Sequence, residues 1–384
     1  MKKSLIALAA LAAFGTASAQ STVALSGQMD MSVGSSRIDG FSLGAEIGRA
    51  AGQFTMSGSE DLGGGMKAGF SVQSGIYIFR SVDNVSPRTG TGNTTTLIPS
   101  GYMTSNSFEI GDRIAELSLS GGFGTLQIGR NNNSIASTVG IYQVSGLKLL
   151  SGVDNSTQAG RIIAGSARTN RIAYTSPTVS GMNVYAGLTP VRKLPNASLG
   201  IAANDLVNND QFKDSYAVGA TYSQGPIAAV IDYSSSPATV NTAIAALAAT
   251  TTAAGLQGYA AANGVKYTTA GASYNLGIAK VGIGYQATNI VRRTGNTDAD
   301  PKNTTVVSAN VPMGATSIGF VYGTRGNSST TTTSNAVTQM ALGAVHSLSK
   351  RTSLYAMYND INTGKATTAT GDIRETHVGI SHSF

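Results

Sequence analysis

Apolar and polar residues alternate with a period of two through most of the chain, up to its last residue. In the stretch 376–384, Val378, Ile380 and Phe384 share one face with His382, while His377, Gly379, Ser381 and Ser383 take the other. A β-strand produces this period because successive side chains point to opposite faces. The stretch 23–33 repeats it: Val23, Leu25, Gly27, Met29 and Met31 alternate with Ala24, Ser26, Gln28, Asp30 and Ser32. Free strand edges expose unpaired backbone groups, so the pattern predicts that the first and last strands pair and close a barrel.

From Gln53 onward, alternating segments of roughly 7 to 13 residues recur, joined in turn by short connections and by long polar ones, as in membrane barrels. The short turns fall at Ser59–Gly65, Gly121–Gly124, Pro177–Gly181, Gln224–Pro226, Asn275–Gly277, Pro312–Gly314 and Ser349–Arg351. Seven such turns imply eight hairpins, hence an all-β antiparallel barrel of about sixteen strands. The long stretches Ser81–Asn106 and Ser234–Gly264 are rich in Thr, Ser and Ala and read as external loops. Within the second, Ala243–Ala254 has a helical tendency that its threonines weaken.

One face of these strands is free of charge. Met66, Ala68, Phe70 and Val72 form one such row; Val184, Ala186 and Leu188, then Val281, Ile283 and Tyr285, then Ile318, Phe320 and Tyr322 form others. Lysine or arginine at a bilayer midplane costs about 2 to 4 kcal/mol, so a row without either suits lipid. The strand charges Asp30, Lys67, Glu116, Arg171, Asp232 and Lys280 all have the parity of the polar face. Tyr222, Tyr274 and Phe384 at turn ends, with Tyr233, Tyr285 and Tyr358 at loop ends, suit two aromatic girdles. The competing reading is a soluble β-sandwich or solenoid.

Composition adds export. Lys2 and Lys3, the apolar stretch 5–14 and Ala17-Ser18-Ala19 have the layout of a secretory signal over residues 1–19, leaving one domain, 20–384. Without Lys2 and Lys3 the chain holds 24 basic and 19 acidic side chains, a formal charge near +5. That excess is spread without a Lys/Arg run, which argues against a nucleic-acid partner. With no cysteine in the chain, a disulfide framework and a thiolate metal site are excluded. After residue 19 no apolar run reaches the ~18 residues a membrane helix needs.

The sequence resembles the general porins of Gram-negative outer membranes, in the form typical of β-proteobacteria. The resemblance rests on Gly58-Ser59-Glu60-Asp61-Leu62-Gly63-Gly64-Gly65 and the following Met66–Gly75, and on Phe123–Arg130. Tyr174-Thr175-Ser176-Pro177, Leu348–Thr352 with Leu354-Tyr355-Ala356, and Phe384 complete it. It implies a homotrimer of water-filled barrels set in outer-membrane lipid and lipopolysaccharide, passing small hydrophilic solutes and ions without a cofactor. It also implies a third external loop folded inward, which here is the stretch 131–167.

Carried over position by position, the resemblance makes Arg130 the leading basic residue of the pore wall, with Arg168 or Arg171 as a second. Gln53 stands where many members have an arginine. The loop contributes Lys148, Arg161 and Asp154, while Asp30 and Glu116 add acid to the pore face. This balance implies a mild preference for anions, since fixed charge in a channel narrower than the Debye length, about 8 Å, acts on every passing ion.

Enzymatic chemistry has little to work with. The three histidines, His346, His377 and His382, stand late in the chain, His377 with pore-side parity and the others near turn ends of the lipid face. They have neither metal-ligand spacing nor a grouped nucleophile. Two rival functions remain: a solute-selective channel with a binding site, and a barrel adhesin acting through its external loops. Tyr142 is the one aromatic in the stretch 131–167, which argues against a stacking lane for sugars.

Overall fold

The computed structural model describes residues 22–38, 41–77, 110–147, 163, 168–190, 214–236, 264–291, 298–326, 337–362 and 372–384. The expected signal stretch 1–19, the stretch 81–106 expected as an external loop, residues 237–263 with the helical tendency expected at Ala243–Ala254, and Lys148, Asp154 and Arg161 lie outside them.

Sixteen antiparallel strands close into one barrel. In chain order they are β1 (Thr22–Ile38), β2 (Phe41–Gly63), β3 (Met66–Tyr77), β4 (Ile114–Gly121), β5 (Gly124–Asn132), β6 (Arg168–Thr175), β7 (Met182–Thr189) and β8 (Ser215–Gln224). The second half is β9 (Ile227–Ser236), β10 (Gly264–Asn275), β11 (Lys280–Val291), β12 (Asp298–Met313), β13 (Thr316–Arg325), β14 (Val337–Ser347), β15 (Thr352–Asn362) and β16 (Ile373–Ser383). Each strand pairs with its neighbours in sequence, and β16 returns to β1.

That return joins the two stretches whose alternation first suggested closure. Ser383 stands opposite Gln28 and Ile373 opposite Ile38. Gly27 and Phe384 then exchange two backbone hydrogen bonds, at 2.9 and 3.0 Å, so the aromatic residue is the final rung of the seam. Its ring lies over Gly27, where a side chain would collide with it.

All seven expected turns separate consecutive strands, and the strands run into several of them, furthest at the first. Ser59–Gly63 belongs to β2, and only Gly64-Gly65 turns. Ser59 and Asp61 pair with Gly69 and Lys67, and a bulge after Asp61 lets its Oδ1 accept the Gly63 N–H at 2.9 Å. Polar residues extend this strand because they lie at its watery end. Gly64 and Gly65, at φ 61° and 78°, then turn the chain as only glycine does without strain.

The two faces separate as the alternation predicts. Val281, Ile283 and Tyr285 stand exposed on β11, while the intervening Gly282, Gly284 and Gln286 are buried. The same holds for Ile318, Phe320 and Tyr322 against Gly319 and Val321 on β13. Exposed apolar rows on successive strands make a continuous outward apolar surface, which in water would drive association and in a bilayer is required. On that surface near the turn ends, Thr316 pairs with His346 and Thr352 with His382, each Oγ1 to Nδ1 distance being 2.9 Å. These are cross-strand pairs of an interface girdle, where polar tips reach water.

The inward face is less uniformly polar than alternation alone suggests. Val306, Val321, Val337, Ala341, Met357 and Ile361 point inward on β12 to β15 and are buried. Their cover is chain from the loop after β5, including Ile135, Tyr142 and Ile163.

Candidate pore constriction

The loop after β5 leaves the wall through Asn133, whose side chain caps a single helical turn, α1 (Ser134–Thr138), by accepting the Ala136 N–H at 2.9 Å. A 3-10 turn, Val139–Ile141, continues it to Tyr142. From there to Leu147 the chain runs along the inward faces of β10 to β14. Ser308 of β12 donates its hydroxyl to the Tyr142 carbonyl at 2.7 Å and accepts the Val144 N–H at 2.9 Å. Asn310 donates to the Ser145 carbonyl at 2.8 Å. Gly271, Gly284, Ser308, Gly319 and Gly343 share the parity opposite the exposed apolar rows, so these contacts lie inside the barrel.

Across the barrel wall from β4 to β9 stands a polar group. Glu116 of β4 is opposite Gly129 of β5, which is opposite Arg171 of β6. With no side chain at Gly129, Glu116 and Arg171 flank bare backbone on the inward face. Glu116 is fixed by Gln127, which donates to its Oε2 at 3.2 Å, and by Asn131, which donates to the same oxygen. Further along, Tyr185 of β7 reaches over Gly219 of β8 and donates to Asp232 of β9 at 2.8 Å. Ser134 and Thr138 of α1 are buried beside this pair.

A second group repeats that device at the seam. Tyr355 of β15 crosses Gly379 of β16 and donates to Asp30 of β1 at 2.6 Å. In both groups a glycine on the middle strand lets a tyrosine reach a carboxylate two strands away. Asp232 is 1% exposed and Asp30 3%, so both acids lie under cover rather than in open water.

Among the residues singled out from sequence, Glu116 and Arg171 come together with Asp232, and Asp30 stands inward at the seam. Gln53 also faces inward, opposite Gln28 and Gly75. Arg130 departs from the expectation. It is opposite Ala115 and Asn170, on the outward parity of Leu126 and Ile128, and its Nε donates to the Asp112 carbonyl at 2.8 Å. Arg168, opposite Asn132, has the same outward parity at the loop end of β6. Strict alternation from Ile128 already assigns Arg130 to that face; the resemblance had pointed the other way. Asp232 is placed on the polar face by its parity but not in the site, while Tyr185 and the glycines beneath Tyr142 are the residues that sequence reasoning misses. Their signal was glycine recurring at inward positions of adjacent strands.

A family model described as Gram-negative porin matches residues 7–367. The chain belongs to that family. This porin is accordingly an outer-membrane channel through which solutes pass by diffusion. It is 31% identical over 368 residues to outer membrane porin protein 32 of Delftia acidovorans, covering 92% of this chain and 88% of that one. Among solved structures, an anion-selective porin from Comamonas acidovorans superposes with a TM-score of 0.65 at 23% identity, covering 95% of this porin and all (100%) of that chain. A trimer form of OmpT from Vibrio cholerae matches at TM-score 0.58 and 12% identity, over 95% of this porin and 99% of that chain.

Proposed function

We propose that this porin passes small hydrophilic solutes and ions with a mild preference for anions, through an eyelet bounded by the loop after β5 and by the wall carrying Glu116 and Arg171. The observation that carries the reading is the placement of charge around Gly129. Arg171 faces the lumen there, Glu116 is held by two amide donors, and Asp30 and Asp232 are buried under tyrosines. Lys148 and Arg161 add base to the loop against Asp154. The likeness in fold to an anion-selective porin supports the same sign.

The mature chain is taken to begin after residue 19 and to assemble as a homotrimer in contact with lipid and lipopolysaccharide. The trimer form among its structural neighbours supports that assembly. No catalytic step is assigned, in keeping with a family and relatives that are channels. A sugar-selective lane gains nothing from Tyr142, whose ring is fully buried between the loop and the wall.

The test is the zero-current potential across a potassium chloride gradient. Wild type should give the sign of an anion-preferring pore, and Arg171→Gln should move it toward cations at low salt, where screening is weakest. Arg130→Gln, at the rim, should change it little. A cation-preferring wild type, or a larger effect from Arg130 than from Arg171, would overturn this assignment.

A further inference from the structure

Tyr142 is the residue through which the constriction loop is fixed to the wall, and the wall is shaped for it. Its ring lies directly over Gly271 of β10 and Gly284 of β11, a register pair, and its carbonyl lies over Gly282. A Cβ at any of the three would overlap Tyr142. Glycine in a strand interior weakens the strand, so three of them converging under one residue, two beneath its ring and one beneath its carbonyl, mark a place where another part of the chain must approach closely. Around this seat the backbone polar groups of the loop are satisfied by the wall. One hydroxyl, that of Ser308, serves both the Tyr142 carbonyl and the Val144 N–H. Leu147 repeats the arrangement one step on, over Gly319 and Gly343.

We propose that Tyr142 in its glycine slot is the latch that sets the free width of the channel, which makes Tyr142, Gly271, Gly282 and Gly284 determinants of its size cut-off. This inference rests on the reading of the loop as the wall of the eyelet. The latch is mechanical: a side chain as deep as the tyrosine ring holds the loop flat against β10 and β11, and whatever fills the slot lifts the loop toward the opposite wall.

Two substitutions therefore act in opposite directions. In Tyr142→Ala the loop loses its anchor and moves more freely. Single-channel conductance should rise on the order of twofold, because an unobstructed sixteen-stranded barrel leaves a wide aqueous channel. The largest neutral polyethylene glycol that enters the pore should grow with it. In Gly284→Ala the new methyl displaces the ring into the lumen, so conductance and polymer cut-off should both fall. The double variant separates the latch from ordinary damage to the strand. With no ring to displace, Gly284→Ala should have no further effect on Tyr142→Ala.

Recordings in planar bilayers, with folding checked by β-sheet circular dichroism and by the mobility shift on heating, read all three. Wild type without conductance steps would remove the channel reading itself. Wild type that conducts while folded Tyr142→Ala keeps the same conductance and polymer cut-off would overturn the latch alone. Should Gly284→Ala fail to fold, Tyr142→Ala still decides the matter, and a double variant whose effects simply add would count against the latch.

Discussion

An arginine in place of Ile283 is expected to destabilise the folded barrel by about 2 to 4 kcal/mol, the cost of that side chain near a bilayer midplane. Ile283 stands on the outward row of β11, 55% exposed, between Tyr274 toward the turn end and Tyr285 toward the loop end. Its neighbours Ala272 and Val307 are apolar, so the row offers no counter-charge. Thr125→Arg serves as the matched control, because Thr125 has inward parity next to Ser120 and Thr175, where water is at hand. Folding free energies from urea titration into lipid vesicles would read both. A Thr125→Arg penalty equal to that of Ile283→Arg would mean that the two faces have been assigned the wrong way round.

The second large effect is expected at the seam. Tyr355→Phe removes the hydroxyl that donates to Asp30 across β16, leaving a buried carboxylate short of a donor. Such a loss costs roughly 1 to 3 kcal/mol, and more when the group is charged. The bond links β15 to β1 over the strand that closes the barrel, so the expected outcome is a lower unfolding temperature and earlier loss of the compact form on heating. Tyr358 of the same strand gives the contrast. Its phenol donates to Asp360 at 3.2 Å on the exposed outer surface, where Arg374 also approaches that carboxylate at 3.5 Å. Tyr358→Phe should therefore stay within about 0.5 kcal/mol of wild type. Equal effects from the two substitutions would show that the buried clasp does not hold the seam.

Much of this architecture is legible in the sequence because a membrane barrel obeys two strict rules at once. The lipid face excludes charge, and the side-chain period is fixed at two, so Ile318, Phe320 and Tyr322 declare their face without any tertiary information. The pairing of the stretch 23–33 with 376–384 follows from the need to close the edge. The course of the loop after β5 is less legible, for a physical reason. Its geometry depends on which loop residues meet which wall residues, over separations such as that from Tyr142 to Gly284, and no local period encodes those meetings. Arg130 shows the hazard of carrying a role across by resemblance when the alternation through Leu126 and Ile128 gives a different face. One signal was present and unused. In β12 to β15, residues such as Val306, Val321 and Ala341 are apolar on the inward parity as well, and an inward apolar row is intelligible only if another part of the chain covers it.

The most direct test of the whole account is current through single channels of the purified protein in a planar bilayer. An open water-filled barrel with its loop held to the wall should produce discrete upward steps. Their size should grow in proportion to the conductivity of the bathing salt, as expected of ions that keep their hydration while they cross. A folded, membrane-inserted protein that produced no steps, or steps that saturated at low salt as a binding channel's do, would contradict it.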